Sequence, residues 1–365
     1  MCHNKLSPQQ TKVLHNIVRC RTAALGGHKE ACDTCGVIRY SYNSCRDRHC
    51  PKCQLGKQTK WVEKLQDEVL PVKHYHVIFT VPHSLNDVCL WNDKLYYNLL
   101  FKVVWETLRS FGYTKYGVES GAVAVLHTWG QNLSLHPHIH CIVPAAGFSL
   151  KGKWIHIGNK NRYLYPVKQL SSAFKGKFLD SLKRKLAKLK HTGFQSQIEK
   201  AYSSNWVVYC EAPMAGVNQV IKYLGQYTHR IAISNQRIKQ IHTDKVRFLA
   251  KDYRDNATHK LVEMQGTEFL RRFIQHILPK GFVRIRRFGI YNATVKRNLD
   301  LQFFVADSPF YKLMKEKEKK EGSEVIPQRR CCPVCKKGKM IPFEEIPRIR
   351  SPAGHLPSML SSLLL

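Results

Sequence analysis

The sequence predicts an α+β protein, an antiparallel sheet with helices on one face, preceded by a small zinc-ribbon-like module. Three observations carry this prediction. Six of the 13 cysteines fall within residues 20–53. Beyond them the order is strand, helix, two strands, a helix-bearing insert, strand, helix. The two middle strands lie close enough in sequence to pair with each other.

Each element follows from local pattern. Residues 56–70, "GKQTKWVEKLQDEVL", read as a short polar helix linking the cysteine-rich module to the next domain. "HYHVIFTVP" (74–82) is β-branched and aromatic and stops at proline, which predicts a strand. Residues 92–112 have helical periodicity and end at Gly112. "GAVAVLHTWG" (121–130) and "HPHIHCIVPAAG" are the adjacent strands. A Lys-rich stretch over 166–200 contains the amphipathic "FLDSLKRKLAKLK", whose cationic side reads as a solvated face. "NWVVYCEAP" (205–213) is a further strand and residues 216–231 a helix. Past residue 240, "KVRFLAKDY" predicts a strand, "GTEFLRRFIQHILPKG" a helix, and "GFVRIRRFG" a strand. "KLMKEKEKKEGSE" (312–324) is charged and poor in apolar residues, and reads as a solvated helix or linker.

Composition narrows the partners. The 365 residues hold 59 Lys+Arg against 26 Asp+Glu, a formal net charge of +33. Such a surplus points to a polyanion, and nucleic acid is the usual one, because cations set on phosphates release condensed counterions. A ribosome-like or membrane-surface protein would share the surplus. "MCHNKLSPQQ" has no apolar signal core, and "LPSMLSSLLL" is too short to span a bilayer. These features predict a cytoplasmic protein with no membrane partner. There, cysteines serve metal or burial rather than disulfides.

Cys32-x-x-Cys35 and Cys50-x-x-Cys53 have the spacing of a four-cysteine zinc site, in which each tight knuckle aims two thiolates at one ion. Cys20, His28, Cys45 and His49 are enough for a second, interleaved Zn²⁺. So small a segment would draw much of its folding free energy from metal. Its Arg46 and Arg48 make it a candidate DNA contact. Near the other end, Cys332-x-x-Cys335 has no second knuckle after it, so no complete site is expected there.

In "SLHPHIHCIVP", alternation puts His138 and His140 on one face of a strand and Ile139 on the other. Such a pair can hydrogen-bond in a core, or share a divalent ion. A third ligand could come from Gln131, His136 or Gln226, with Gln131 preferred. Tyr223 and Tyr227 stand four apart in "KYLGQYTHR", stacked on the flank of a helix beside Arg230. A phenol titrates near ~10, so as a nucleophile it needs a neighbouring cation or an activated substrate. In "GFVRIRRFG", Arg284 and Arg286 alternate with apolar residues, suggesting a phosphate track.

Taken together, "CRTAALGGH…YNSCRDRHCPKCQ", "HTWGQNLSLHPHIHCIVP", "YLGQYTHRIAIS" and "FLRRFIQHILPKGFVRIRRFG" resemble, in order over roughly residues 12–295, the two-tyrosine HUH-type rolling-circle transposases of bacterial insertion sequences. The resemblance implies a ferredoxin-like nuclease sheet, with Mg²⁺ or Mn²⁺ on His138 and His140. It also implies Tyr223 and Tyr227 as nucleophiles that cut and rejoin single-stranded DNA at element ends through a 5′-phosphotyrosine link. The implied division is a zinc-binding domain over 1–56, an HUH nuclease domain over 57–240, a basic DNA-binding extension over 241–311, and a charged linker with a partial CxxC tail over 312–365. Two other readings stay open from the residues: a non-catalytic zinc-ribbon DNA-binding regulator, and a zinc hydrolase using the histidine pair.

Overall fold

The computed structural model describes residues 6–53, 70, 72–158, 164–211, 232–252, 255, 258–292, 294–295 and 330–349. The N-terminal region holds helix α1 (Pro8–Arg19) and the hairpin β1 (Gly27–Cys32) and β2 (Ile38–Tyr42). Then come β3 (His74–Thr80), the short α2 (Asn86–Trp91), the long α3 (Asp93–Tyr116), β4 (Val118–Glu119), β5 (Gly121–Trp129) and β6 (Leu135–Pro144). Next are β7 (Ala146–Ser149), β8 (Trp154–His156), α4 (Val167–Lys188), α5 (Gln195–Ser203) and β9 (Val208–Cys210). The last part contributes β10 (Ile238–Ile241), β11 (Lys245–Asp252), β12 (Thr258–Gln265), α6 (Gly266–Ile274), β13 (Ile285–Gly289) and β14 (Met340–Ile346).

The predicted α+β class holds. A five-stranded antiparallel sheet in the order β13-β5-β6-β3-β9 forms the centre. One face carries Tyr75, Val77 and Phe79 of β3, Ala122, Ala124 and Leu126 of β5, and Ile139, Cys141 and Val143 of β6. The helices α3 and α4 cover that face. In α4, Leu170, Phe174, Phe178, Leu182 and Leu186 recur every four residues, so all five reach the core while Lys183, Arg184 and Lys185 face solvent. The Asn92 side chain caps α3 by accepting from the Leu95 amide at 3.0 Å. This helix runs past the predicted stop at Gly112 and ends at Gly117, which takes the left-handed conformation (φ 64°).

Strand periodicity alone did not show how the C-terminal segments join in. β13 pairs with β5, Ile285 opposite Val125 and Gly289 opposite Gly121, so the strand expected in a separate extension is an edge of the central sheet. The expected boundary at residue 240 falls inside β10, which pairs with β11 and through it with β12. At the N-terminus, β1 is flanked by β2 on one side and by the distant β14 on the other. The helices expected over 56–70 and 216–231, and the linker 312–324, lie outside the described residues apart from Leu70. No helix among the described residues is long and apolar enough to cross a membrane.

Candidate active site and metal centres

The sheet face turned away from the helices carries the histidines. The register sets His138 of β6 directly opposite His127 of β5, and His140 opposite Val125. Strand alternation then brings three imidazoles together, with ring centroids 5.2 Å (His127–His138), 4.3 Å (His127–His140) and 4.9 Å (His138–His140) apart. One ring nitrogen from each lies within 4.8 Å of the others, close enough to share one ion. The pair foreseen in sequence is therefore a trio. His136, two residues before His138, packs against His83 and His138 instead.

Hydrogen bonds orient these rings. His138 donates through Nδ1 to the His136 carbonyl at 2.7 Å, which leaves its Nε2 lone pair for a ligand. His140 Nδ1 lies 2.8 Å from Nε2 of the buried His76, whose Nδ1 lies 3.0 Å from the Glu211 carboxylate. That carboxylate can only accept, so His76 donates to it through Nδ1. In neutral His76, Nε2 then accepts from His140 Nδ1, and His140 Nε2 keeps its lone pair. The His76 bond also lowers the Glu211 pKa. A carboxylate–histidine–histidine relay of this kind fixes ligand tautomers.

Burial first, and the neighbouring imidazoles and Arg284 after it, hold His127 and His140 well below the usual imidazole range. His138 is pushed down to about 3, chiefly by burial. All three are neutral at physiological pH, the form that binds metal. They open into a cavity of about 910 Å³, whose walls include Gln131, Tyr209, Glu211, Lys251 and Lys260. Gln131, the preferred third ligand, thus borders the same cavity, and its backbone carbonyl accepts a hydrogen bond from Arg237. The nitrogen that stands with His138 and His140 belongs to His127.

The cysteines assemble differently from the expected pairing. Cys20, Cys45, Cys50 and Cys53 form one cluster, with Sγ–Sγ distances of 3.4 Å (Cys20–Cys53) and 3.6 Å (Cys45–Cys53). Cys32 and Cys35 form another with Cys332 and Cys335. The hairpin explains the regrouping. Cys32 and Cys35 sit at its turn, whereas Cys20 and Cys45 lie at its open end, where the Asn43 amide bonds the Gly26 carbonyl at 2.9 Å. The length of β1, roughly 17 Å at 3.3 Å per residue, keeps the two ends apart. Neither histidine joins a cluster. His28 is engaged by Glu30 at 2.7 Å. His49 sits between Asp47, 3.2 Å from its Nδ1, and the Leu278 amide, which donates to its Nε2 at 3.1 Å. Four thiolates at these spacings suit Zn²⁺, whose ~2.3 Å bonds put tetrahedral sulfurs about 3.8 Å apart.

The arginines divide as well. Arg46 is exposed. Arg48 donates to the carbonyls of Phe282 (2.6 Å) and Pro279 (2.9 Å), tying the cysteine-rich module to the segment before β13. Arg284 donates to the Leu126 carbonyl and lies over the Trp129 ring at 4.9 Å. Arg286 lies over Phe101 at 4.2 Å and bonds Asn98. The expected apolar and cationic faces do not form: Val283 is exposed, and Arg286, opposite Ala124, turns to the helix-covered face. Arg284 turns to Trp129, which stacks on His127, so an aromatic ring lies under each guanidinium of the supposed phosphate track. Tyr223, Tyr227, Gln226 and Arg230 lie outside the described residues.

Sequence reasoning passed over His127, His76 and Glu211. The available signal was a histidine inside each of two apolar strands, "AVLHTW" and "HYHVIF", in a chain that already held an HPHIH strand.

Comparison with known proteins adds the family. A model described as "Putative transposase" matches residues 121–298, and one described as "Transposase zinc-binding domain" matches residues 1–81. The "Putative transposase y4qJ" of Sinorhizobium fredii is 40% identical over 372 residues, covering 96% of this chain and 93% of the relative. The "Transposase for insertion sequence element IS801" of Pseudomonas savastanoi pv. phaseolicola is 25% identical over 291 residues, covering 77% of this chain and 70% of that protein. No solved structure matches. The chain belongs to the insertion-sequence transposases, with a zinc-binding domain of the IS91 type at its N-terminus.

Proposed function

We propose that this transposase cuts and rejoins single-stranded DNA at the ends of its element, in the cytoplasm, through a 5′-phosphotyrosine intermediate. The observation that carries the reading is the trio His127, His138 and His140 at the wall of a large cavity. Three neutral imidazoles leave open positions and no compensating negative charge, which suits a divalent ion that must also take phosphate oxygens. Of the two expected ions, Mn²⁺ fits an all-nitrogen set better than Mg²⁺, which prefers oxygen ligands. Bound there, the ion would withdraw charge from the non-bridging oxygens of a scissile phosphodiester.

The protein's own groups do the rest. The Glu211–His76 relay holds His140 in the ligating tautomer, and the His136 carbonyl does so for His138. Tyr223 attacks phosphorus through its phenol oxygen, the P–O3′ bond breaks, and the departing oxygen takes up a proton as a free 3′-hydroxyl. The phosphotyrosine link keeps the energy of the phosphodiester, so rejoining needs no nucleotide cofactor. Tyr227 serves the second strand. Exposed Arg46 contributes to phosphate binding, within a chain whose charge of +33 draws in a polyanion.

The test is a labelled single-stranded oligonucleotide carrying an element end, incubated with Mn²⁺ and run on a denaturing gel. A protein-linked band is expected for the wild type and not for Tyr223→Phe/Tyr227→Phe. Adducts undiminished in the double variant would defeat the reading. Binding without cleavage, indifferent to His138→Ala, would leave the non-catalytic regulator. Zn²⁺ also accepts three histidines. Zinc retained at the trio together with activity on a non-nucleic substrate would favour the hydrolase.

A further inference from the structure

The cysteine cluster that sequence spacing missed draws its sulfurs from the two ends of the chain. We propose that Cys32, Cys35, Cys332 and Cys335 hold a structural zinc ion of their own, which clasps residues 330–349 onto the N-terminal hairpin.

The geometry is that of two matched knuckles. The Cys32–Cys335 and Cys35–Cys332 sulfurs are 3.7 and 3.8 Å apart, the edge of a tetrahedron around an ion bound at ~2.3 Å. A disulfide would need ~2.05 Å. Each knuckle closes with the same turn: the Gly36 amide bonds the Cys32 carbonyl at 3.1 Å, and the Lys336 amide bonds the Cys332 carbonyl at 3.0 Å. Gly36 and Lys336 both take positive φ, 69° and 56°. Backbone amides point at the sulfurs, from Thr34 and Cys35 to Cys32 and from Gly338 to Cys335. Such donors stabilise thiolates, the form that ligates metal. Gly338 packs so closely that a Cβ there would lie 2.5 Å from Cys32 Sγ. All-sulfur tetrahedral donors select zinc among common divalent ions, with iron the alternative.

The strand pairing shows what the ion would fasten. β14 lies antiparallel to β1 with Cys32 opposite Met340, and Lys29 meets Glu344 at 2.7 Å. Around the sulfurs the apolar cluster is small, Met340 with part-buried Val37. β14 is otherwise exposed from residue 341 to 345, including Phe343 at 55%. A strand with so little burial gains little from packing. The metal supplies the missing attachment.

The test uses the full-length protein. Metal analysis is expected to find two tetrathiolate zinc ions per chain, and Cys332→Ser/Cys335→Ser is expected to keep one. Gly338→Ala, which retains every thiol, is expected to lose the same ion by crowding Cys32. In Cys32→Ser/Cys35→Ser, Cys332 and Cys335 should pass from protected to fully alkylated by iodoacetamide, while Cys20, Cys45, Cys50 and Cys53 stay protected. One tetrathiolate ion in the wild type, or tail cysteines whose labelling ignores the loss of Cys32 and Cys35, overturns the proposal. An iron spectrum in place of zinc overturns the identity of the ion.

Discussion

Replacing His76 with phenylalanine isolates the relay behind the histidine trio. His76 lies behind the cavity wall without lining the cavity, and its side chain is fully buried, stacked on His140 with ring centroids 5.1 Å apart. Phenylalanine keeps a ring of similar size there but offers no acceptor to His140 Nδ1. That N–H then faces a buried apolar edge, at a cost of about 1–3 kcal/mol. His140 escapes the cost by moving its proton to Nε2, the nitrogen needed for metal. Loss of such outer partners typically weakens metal binding 10–100-fold, about 1.4–2.7 kcal/mol. His76 is thus a positioning residue, and the direct readout is the Mn²⁺ dissociation constant by calorimetry, with circular dichroism confirming the fold. Glu211→Gln should lose less, because its side chain is half exposed and the amide oxygen still accepts from His76. A folded His76→Phe protein that binds Mn²⁺ as tightly as the wild type would refute the relay.

Two further outcomes concern stability. His74, 2.6 Å from the Tyr291 hydroxyl, and His276, between Thr128 and the Leu133 carbonyl, are buried and pushed down to about 4. Unfolded, each protonates near ~6.5, so their contribution is complete above that pH and drains away as pH falls towards 4, by at most about 3 kcal/mol each. Urea midpoints between pH 7.5 and 5 should fall less steeply in His74→Gln/His276→Gln than in the wild type, and equal slopes would refute this. Phe174, fully buried against Phe79 and Trp206 at 5.0 and 5.2 Å, should cost about 3–5 kcal/mol on replacement with alanine. A midpoint unchanged in denaturant would place the core elsewhere.

What could be read from the sequence depended on how far each feature reaches. Alternation within one strand was enough to put His138 and His140 on one face, and the amphipathic pattern of "FLDSLKRKLAKLK" marked only the second half of α4. His127 joins them through the β5–β6 register, which no single strand reveals, and a histidine in "GAVAVLHTWG" looks like an ordinary core residue. The zinc chemistry was legible from the CxxC knuckles, but their grouping was not. Nearness in sequence suggested Cys32 and Cys35 with Cys50 and Cys53, whereas a hairpin separates these and β14 brings Cys332 and Cys335 across the chain. Arg284 and Arg286 show the same limit: alternation suggested one shared face, whereas packing lays Arg284 over Trp129 beside the histidines and Arg286 over Phe101 among the helices.

Division of labour between the two sheet faces arises from these energetics. Three buried, neutral imidazoles forgo hydration, and each polar group taken from water costs free energy unless it is partnered. The opposite face compensates, because α3 and α4 pack aromatic and aliphatic side chains against the same strands. Parity in β5 and β6 thus separates the histidines from the residues packed under α3 and α4, although Val123, Val125 and Ile142 share the histidine side. The charge surplus then acts twice at the reactive face. Arg284 beside the trio disfavours protonated imidazoles, as burial already does. The wider positive field raises the local concentration of phosphodiester. In the proposed reaction, uncompensated carboxylates added at this face would oppose both effects, favouring protonated imidazoles and repelling the phosphodiester.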